Sequence, residues 1–118
     1  MGFFEANTNL SQLFYLLGGH ALADYVWQTE RMVNLKHPRL KKNARGCVEE
    51  YGPWWWWMVA HGLIHGMLVG FILHWWVLGL LETMVHIGLD TAKCLKKITV
   101  NQDQAGHLLS KVVWAWLG

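Results

Sequence analysis

Charge is what this 118-residue chain has least of: 15% of its side chains are charged, and only three of its eight acidic residues are Asp. Between Trp54 and Leu81 there is no Lys, Arg, Asp or Glu at all. At 1.5 Å per helical residue that run is longer than a bilayer core requires. It also leaves too little charge to cover the outer faces of a soluble bundle. Proline is scarce as well. Its two copies, Pro38 and Pro53, fall in one segment together with Gly46 and Gly52, so the rest of the chain is free to be helical. The two cysteines, Cys47 and Cys94, have no partner at metal-binding spacing and are expected to be free thiols without chemistry. The stretch Met1–Asn9 lacks the basic start and small-residue exit of a secretory signal, so the first hydrophobic helix is expected to stay in place.

What is present in excess is apolar and aromatic: 53% of the residues are hydrophobic, and nine are Trp. The tryptophans cluster at Trp54–Trp57, at Trp75 and Trp76, and at Trp114 and Trp116, the positions where an amphipathic ring would sit at the headgroup level. Six of the ten Lys and Arg lie between Arg31 and Arg45, and Lys93, Lys96 and Lys97 form a second cluster. Both clusters belong on the cytoplasmic side if positive charge stays inside. These features predict an all-α fold, an integral-membrane antiparallel four-helix bundle, as one domain over residues 1–118 with a basic cytoplasmic loop at 31–53. The predicted helices run from Asn7–Ser11 to Glu30, from Trp54 to Leu73, from Trp75 to Lys96 after a turn near His74, and from a cap at Asn101 to Leu117. Gly18 and Gly19 are expected to admit a neighbouring helix. Both termini then lie across the membrane from the loop. Membrane lipids are the expected surroundings, a homo-oligomer is left open, and no specific nucleic-acid partner is expected.

Within this apolar background the polar residues are paired. His20 and Asp24, His61 and His65, His86 and Asp90, and Asp103 and His107 are each four residues apart, so each pair stands on one helix face and aims two donors at one spot. A given Asp meets a His at that spacing by chance roughly once in eight, and here all three Asp do. A lone buried His is usually a hydrogen-bonded core residue, but four pairs on four helices describe a metal centre. Counted inward from the cytoplasmic helix ends, all four pairs fall at the same depth.

Five imidazoles and three carboxylates suit zinc, iron or manganese better than magnesium. Eight donors exceed one closed site, so two or three divalent ions are expected, with zinc the best fit. Two-metal sites act on phosphorus by clamping both oxygens of an in-line displacement, which makes hydrolysis of a phosphate ester the leading expectation. Di-iron carboxylate bundles use Glu-x-x-His at i+3 together with separate Glu ligands, a pattern this chain lacks. Glu82, one turn from His86, is the candidate general base. Gln28 and Gln104 are placed to orient ligands. Lys36, Lys93 and Lys97 are the candidates for holding a phosphate or lipid headgroup, with solvated anchors as the simpler role. The alternative to an enzyme is a membrane interaction or regulatory protein whose metal is structural. An ion or proton path would need a polar line across the bilayer, and Leu68–Leu73 and Val112–Leu117 are too apolar for one.

The run His20-Ala-Leu-Ala-Asp24-Tyr-Val-Trp-Gln28-Thr-Glu-Arg-Met32 with Lys36, the pair His61 and His65, His86-x-x-x-Asp90, and Asp103-Gln104-x-x-His107 resemble the small membrane family catalogued as domain of unknown function 3307, found in bacteria and their phages. The resemblance extends from about Leu10 to Leu117. It implies a bacterial inner-membrane or phage-encoded protein with a metal site, and carries over His20, Asp24, Gln28, His61, His65, His86, Asp90, Asp103, Gln104 and His107. In pair type alone the chain is similar to membrane-bound metal-dependent hydrolases and to zinc-dependent phospholipase C and P1-type nucleases. The Trp54–Trp57 cluster is a departure from the family's pattern.

Overall fold

The structure, a computed structural model, describes residues 8–29, 36 and 54–118. Helix α1 (Thr8–Ala21) runs directly into a π-helical turn at Leu22–Val26. After it come α2 (Trp54–Leu73), α3 (Trp76–Cys94) and α4 (Val100–Leu117), and there is no strand among the described residues. The all-α class and the four helices are as predicted. The predicted loop at 31–53 and the predicted helix end at Glu30 lie outside the described residues, apart from Lys36, and so does Cys47.

Contacts between neighbouring elements run antiparallel throughout. Near one end of the bundle Leu16, Val69, Leu73, Leu78, Trp114 and Ala115 form the hydrophobic core cluster, while toward the other Asp24, Asp90, Lys93 and Asp103 approach one another through ion pairs and shared neighbours. The closest helix approach is between α2 and α3. A Cβ added at Gly79 would lie 2.5 Å from the carbonyl oxygen of Gly66, and one at Gly62 would lie 2.7 Å from Ile87 Cγ1. Of the two glycines expected to admit a neighbouring helix, Gly19 meets α2 in ordinary contacts with Leu68 and Ile72, while Gly18 has no neighbour within 4 Å among the described residues.

Helix ends follow local rules. Both α2 and α3 close in a Schellman motif, with the left-handed position taken by His74 (φ 54°) after α2 and Lys96 (φ 60°) after α3. In the first, Trp75 N–H donates to Gly70 O at 3.1 Å; in the second, Lys97 N–H donates to Ala92 O at 2.9 Å. The cap of α4 is Thr99, not Asn101. Its hydroxyl accepts from Gln102 N at 3.1 Å while Gln102 Oε1 accepts from Thr99 N at 2.9 Å, a capping box that the Thr-x-x-Gln spacing encodes.

The distribution of polarity is inverted relative to a soluble core. His20, His61, His65, Glu82, His86, Asp90, Asp103, His107 and Lys111 are all buried, while Phe14, Phe71, Trp76 and Met84 are among the most exposed side chains. Trp114 departs from the expectation of an interfacial anchor: it is buried and points inward, whereas Trp116 is exposed.

Candidate metal centre

Each helix brings its polar stripe to the bundle axis. In α1 the π turn does this by widening the backbone: Trp27 N–H bonds Leu22 O at 2.8 Å, five residues back, and Gln28 Nε2 donates to the carbonyl oxygen of Asp24 at 3.0 Å. The side chain of Asp24 is thereby carried toward α2. There its Oδ1 lies 2.8 Å from His65 Nε2 and 3.3 Å from His61 Nε2. Gln28 thus supports the backbone of Asp24 rather than a metal-capable atom.

The stripes of α3 and α4 meet antiparallel, rung against rung. His86 stacks on His107 with ring centroids 4.2 Å apart, and His65 stacks on the other side of His86 at 3.6 Å. Lys93 lies 2.8 Å from Asp90 Oδ1 and 3.7 Å from Asp103 Oδ2, while the Lys36 ammonium pairs with Asp90 Oδ2. At the opposite rung Glu82 pairs with Lys111.

Among the described residues three sets of donors result, each with its ligand atoms within 4.8 Å of one another: Asp24, His61, His65 and His86; Asp90, Asp103 and His107; and Glu82, His86 and His107. Seven of the eight residues expected to bind metal enter at least one set. His20 does not. Gln104 explains why: its Nε2 donates to Asp24 Oδ2 at 3.3 Å, so its Oε1 faces His20 and accepts from His20 Nε2 at 3.1 Å. His20 and Gln104 therefore steady Asp24 from behind.

The fit to a metal ion can be tested on the polar atoms themselves. Among the described residues, both ring nitrogens of His61, His86 and His107 and both carboxylate oxygens of Asp103 are buried without an aligned hydrogen bond, although His61 Nε2 lies 3.3 Å from Asp24 Oδ1 and His107 Nε2 lies 3.1 Å from Asp103 Oδ1. A buried polar group left unpaired costs about 1–3 kcal/mol, and native interiors rarely hold several together unless an ion or water satisfies them. Imidazole nitrogens beside carboxylate oxygens are the donor set that zinc, iron and manganese take. The residues fit.

The remaining candidates divide. Lys36, for which a solvated role was the simpler expectation, is 2% exposed and bound to Asp90; Lys93 is partly buried beside the same carboxylate; Lys97 is exposed and meets none of the donor sets. Glu82, the candidate general base, has both oxygens engaged from α4: Lys111 Nζ on Oε1, Trp114 Nε1 on Oε2 at 2.5 Å, and Ser110 Oγ on Oε2 at 3.4 Å. Lys111, buried and paired with Glu82, is the residue of this cluster that sequence reasoning passed over. Its signal was available, since it extends Asp103 and His107 by one more step of four, and an antiparallel α3 stripe of Glu82, His86 and Asp90 sets Glu82 opposite it.

Residues 12–117 match the family described as protein of unknown function (DUF3307), and the chain belongs to that family. No curated protein and no solved structure matches it.

Proposed function

We propose that this chain is an integral-membrane protein that binds two divalent transition-metal ions, zinc the best fit, and hydrolyses a phosphate ester at the more open of the two sites. The observation that carries the metal reading is the concentration of unpaired imidazole and carboxylate atoms at the bundle axis. The inverted polarity supports the membrane reading. A helix with Phe71 76% exposed and Trp76 75% exposed at the next helix start is poorly matched to water, whereas ionisable residues in a bilayer are expected to face the bundle interior. The groove between α2 and α3 is lined by Leu63, Met67, Phe71, Trp76 and Leu80, in keeping with lipid contact. Of the described helices, α2 alone is long and apolar enough by composition to cross a membrane. In α3 the polar residues Glu82, His86 and Asp90 that lower its hydropathy are buried, whereas α4 carries exposed Asn101 and Gln102 besides buried Asp103, His107 and Lys111.

The two sites differ in ways that suit different tasks. Asp24, His61, His65 and His86 offer four donors, the number that closes a tetrahedral zinc. Asp90, Asp103 and His107 offer three, which leaves a position for water or substrate. An ion there supplies Lewis acidity to a phosphoryl oxygen and lowers the cost of deprotonating water. The chain's own residues do the rest. Lys93, partly exposed beside Asp90, is placed to pair with an arriving phosphate, while the buried Lys36 holds Asp90. Leu16, Leu78 and Trp114 exclude water from the other end of the stripe. The basic segment 31–53 on the cytoplasmic side would gather anionic substrate, lipid-borne or free.

The closed character of the four-donor set favours a second reading, a non-enzymatic membrane interaction or regulatory protein with structural metal. Both readings predict bound metal. Elemental analysis of detergent-purified protein beside Asp24→Asn and His107→Ala variants is the first test, and equal metal content in all three would remove the proposal. Turnover of a chromogenic phosphate ester by the zinc-loaded protein, lost in His107→Ala, then selects the hydrolase; metal without turnover selects the structural role.

A further inference from the structure

We propose that the Glu82, His86 and His107 set is not a third metal site, because its cation is built into the chain as the ammonium of Lys111. The inference rests on the reading of the axis as a metal centre and fixes the number of ions at two.

By distance alone the set qualifies, since its ligand atoms lie as close together as those of the other two. By charge and pairing it does not. Both oxygens of Glu82 accept hydrogen bonds, whereas among the described residues neither oxygen of Asp103 and neither nitrogen of His61 makes an aligned one. One face of α4 supplies all three donors, Ser110, Lys111 and Trp114, to the one carboxylate. A divalent ion placed against Glu82 would meet the Lys111 ammonium across a single carboxylate, in surroundings where like charges repel far more than in water. It would also draw on His86 and His107, which the other two sets already use.

Lys36, buried like Lys111, and Lys93 both pair with Asp90, but the set to which Asp90 belongs has a second carboxylate, Asp103, whereas Glu82 is the one carboxylate of its own set. Lys93 retains about a quarter of its side-chain exposure, so it can leave Asp90 for an ion or a phosphate. Lys111 is 1% exposed, and Trp114 and Ala115, members of the hydrophobic core cluster, follow it on the same helix. With no water to receive it, its charge stays with Glu82. Glu82 Oε1 lies 3.8 Å from His86 Nδ1, beyond hydrogen-bond distance, so the carboxylate is held by α4 and not by the imidazole.

The test is metal stoichiometry on the full-length chain in detergent, loaded with zinc and freed of excess, with cobalt substitution as a spectroscopic second readout. Wild type is expected to hold two equivalents; none at all would sink the metal reading itself, and three would overturn this inference alone. Glu82→Gln keeps an acceptor for Lys111 and is expected to hold the same two, with an unchanged cobalt spectrum, whereas loss of an equivalent would show Glu82 to be a ligand and overturn the proposal. Lys111→Met frees Glu82 and is expected to gain a third equivalent that the double variant with Glu82→Gln loses. If Lys111→Met folds and still holds two, the built-in cation is disproved; if it does not fold, Glu82→Gln decides.

Discussion

Asp24 is the residue on which the first donor set converges, with His61 and His65 on one oxygen and His20 and Gln104 on the other. Removing its charge while keeping its shape, Asp24→Asn, is expected to abolish metal at that set and leave the Asp90, Asp103 and His107 set filled, so metal content halves. His107→Ala is expected to give the complementary halving. His20→Gln separates a supporting role from a ligating one: a residue that acts by orienting a ligand costs about 10–100-fold in metal affinity when removed, so stoichiometry at saturating zinc should hold while a competitive chelator strips the ion at lower concentration. If His20→Gln loses an equivalent even at saturation, His20 is a ligand after all. The pairs themselves were legible because a spacing of four survives any error in helix boundaries. What spacing could not tell was which member of a pair ligates and which supports, since that depended on Gln104 arriving from a helix some eighty positions away.

At the scale of the element, the α2–α3 hairpin holds the centre in register. It places His61 and His65 opposite His86 only while Gly66 and Gly79 let the two backbones touch. Gly79→Ala puts a methyl group into the Gly66 carbonyl and is expected to cost about 1–3 kcal/mol, the usual range for overpacking, with metal affinity falling in parallel. The contrast is Gly18→Ala, where no described residue lies within 4 Å and helix propensity favours Ala by about 1 kcal/mol, so a neutral or stabilising effect is expected. Thermal unfolding in detergent measures both. If Gly79→Ala is as harmless as Gly18→Ala, the close approach is not real. Sequence reading singled out Gly18 and Gly19 rather than Gly66 and Gly79 because a small residue permits contact without stating how closely a partner uses it. The hairpin itself was legible, since no charge interrupts Trp54–Leu81 and the break at His74 is short; Lys96 in a left-handed position was not, because glycine is the usual occupant there.

For the molecule as a whole, the decisive asymmetry is that the polar column has one open end. It begins at the partly exposed Lys93, passes Asp90 and Asp103, the stacked imidazoles and Glu82, and stops at Lys111 and Trp114. Beyond Trp114 the bundle is filled by Leu16, Val69, Leu73, Leu78 and Ala115. Trp114 belongs to both regions, with its ring in the apolar cluster and its Nε1 on Glu82. If the bundle spans a membrane as proposed, a chain of titratable groups that reaches only part of the way across cannot carry protons from one side to the other, because conduction needs sites that both admit and release. Vesicles containing the purified protein are therefore expected to hold an imposed pH gradient as well as empty vesicles do. Trp114→Ala opens the apolar end beside Glu82 and Lys111 and removes one of the donors to that carboxylate. Such a large-to-small change in a core costs about 3–5 kcal/mol, so the variant is expected to unfold at lower temperature while still sealing the vesicle, since Leu16, Val69, Leu73 and Leu78 remain. Gradient collapse by the wild-type protein would mean that the apolar end is not a seal. The column would then be a path rather than a blind pocket, and a site entered only from the basic side, on which the hydrolase reading depends, would have to be abandoned.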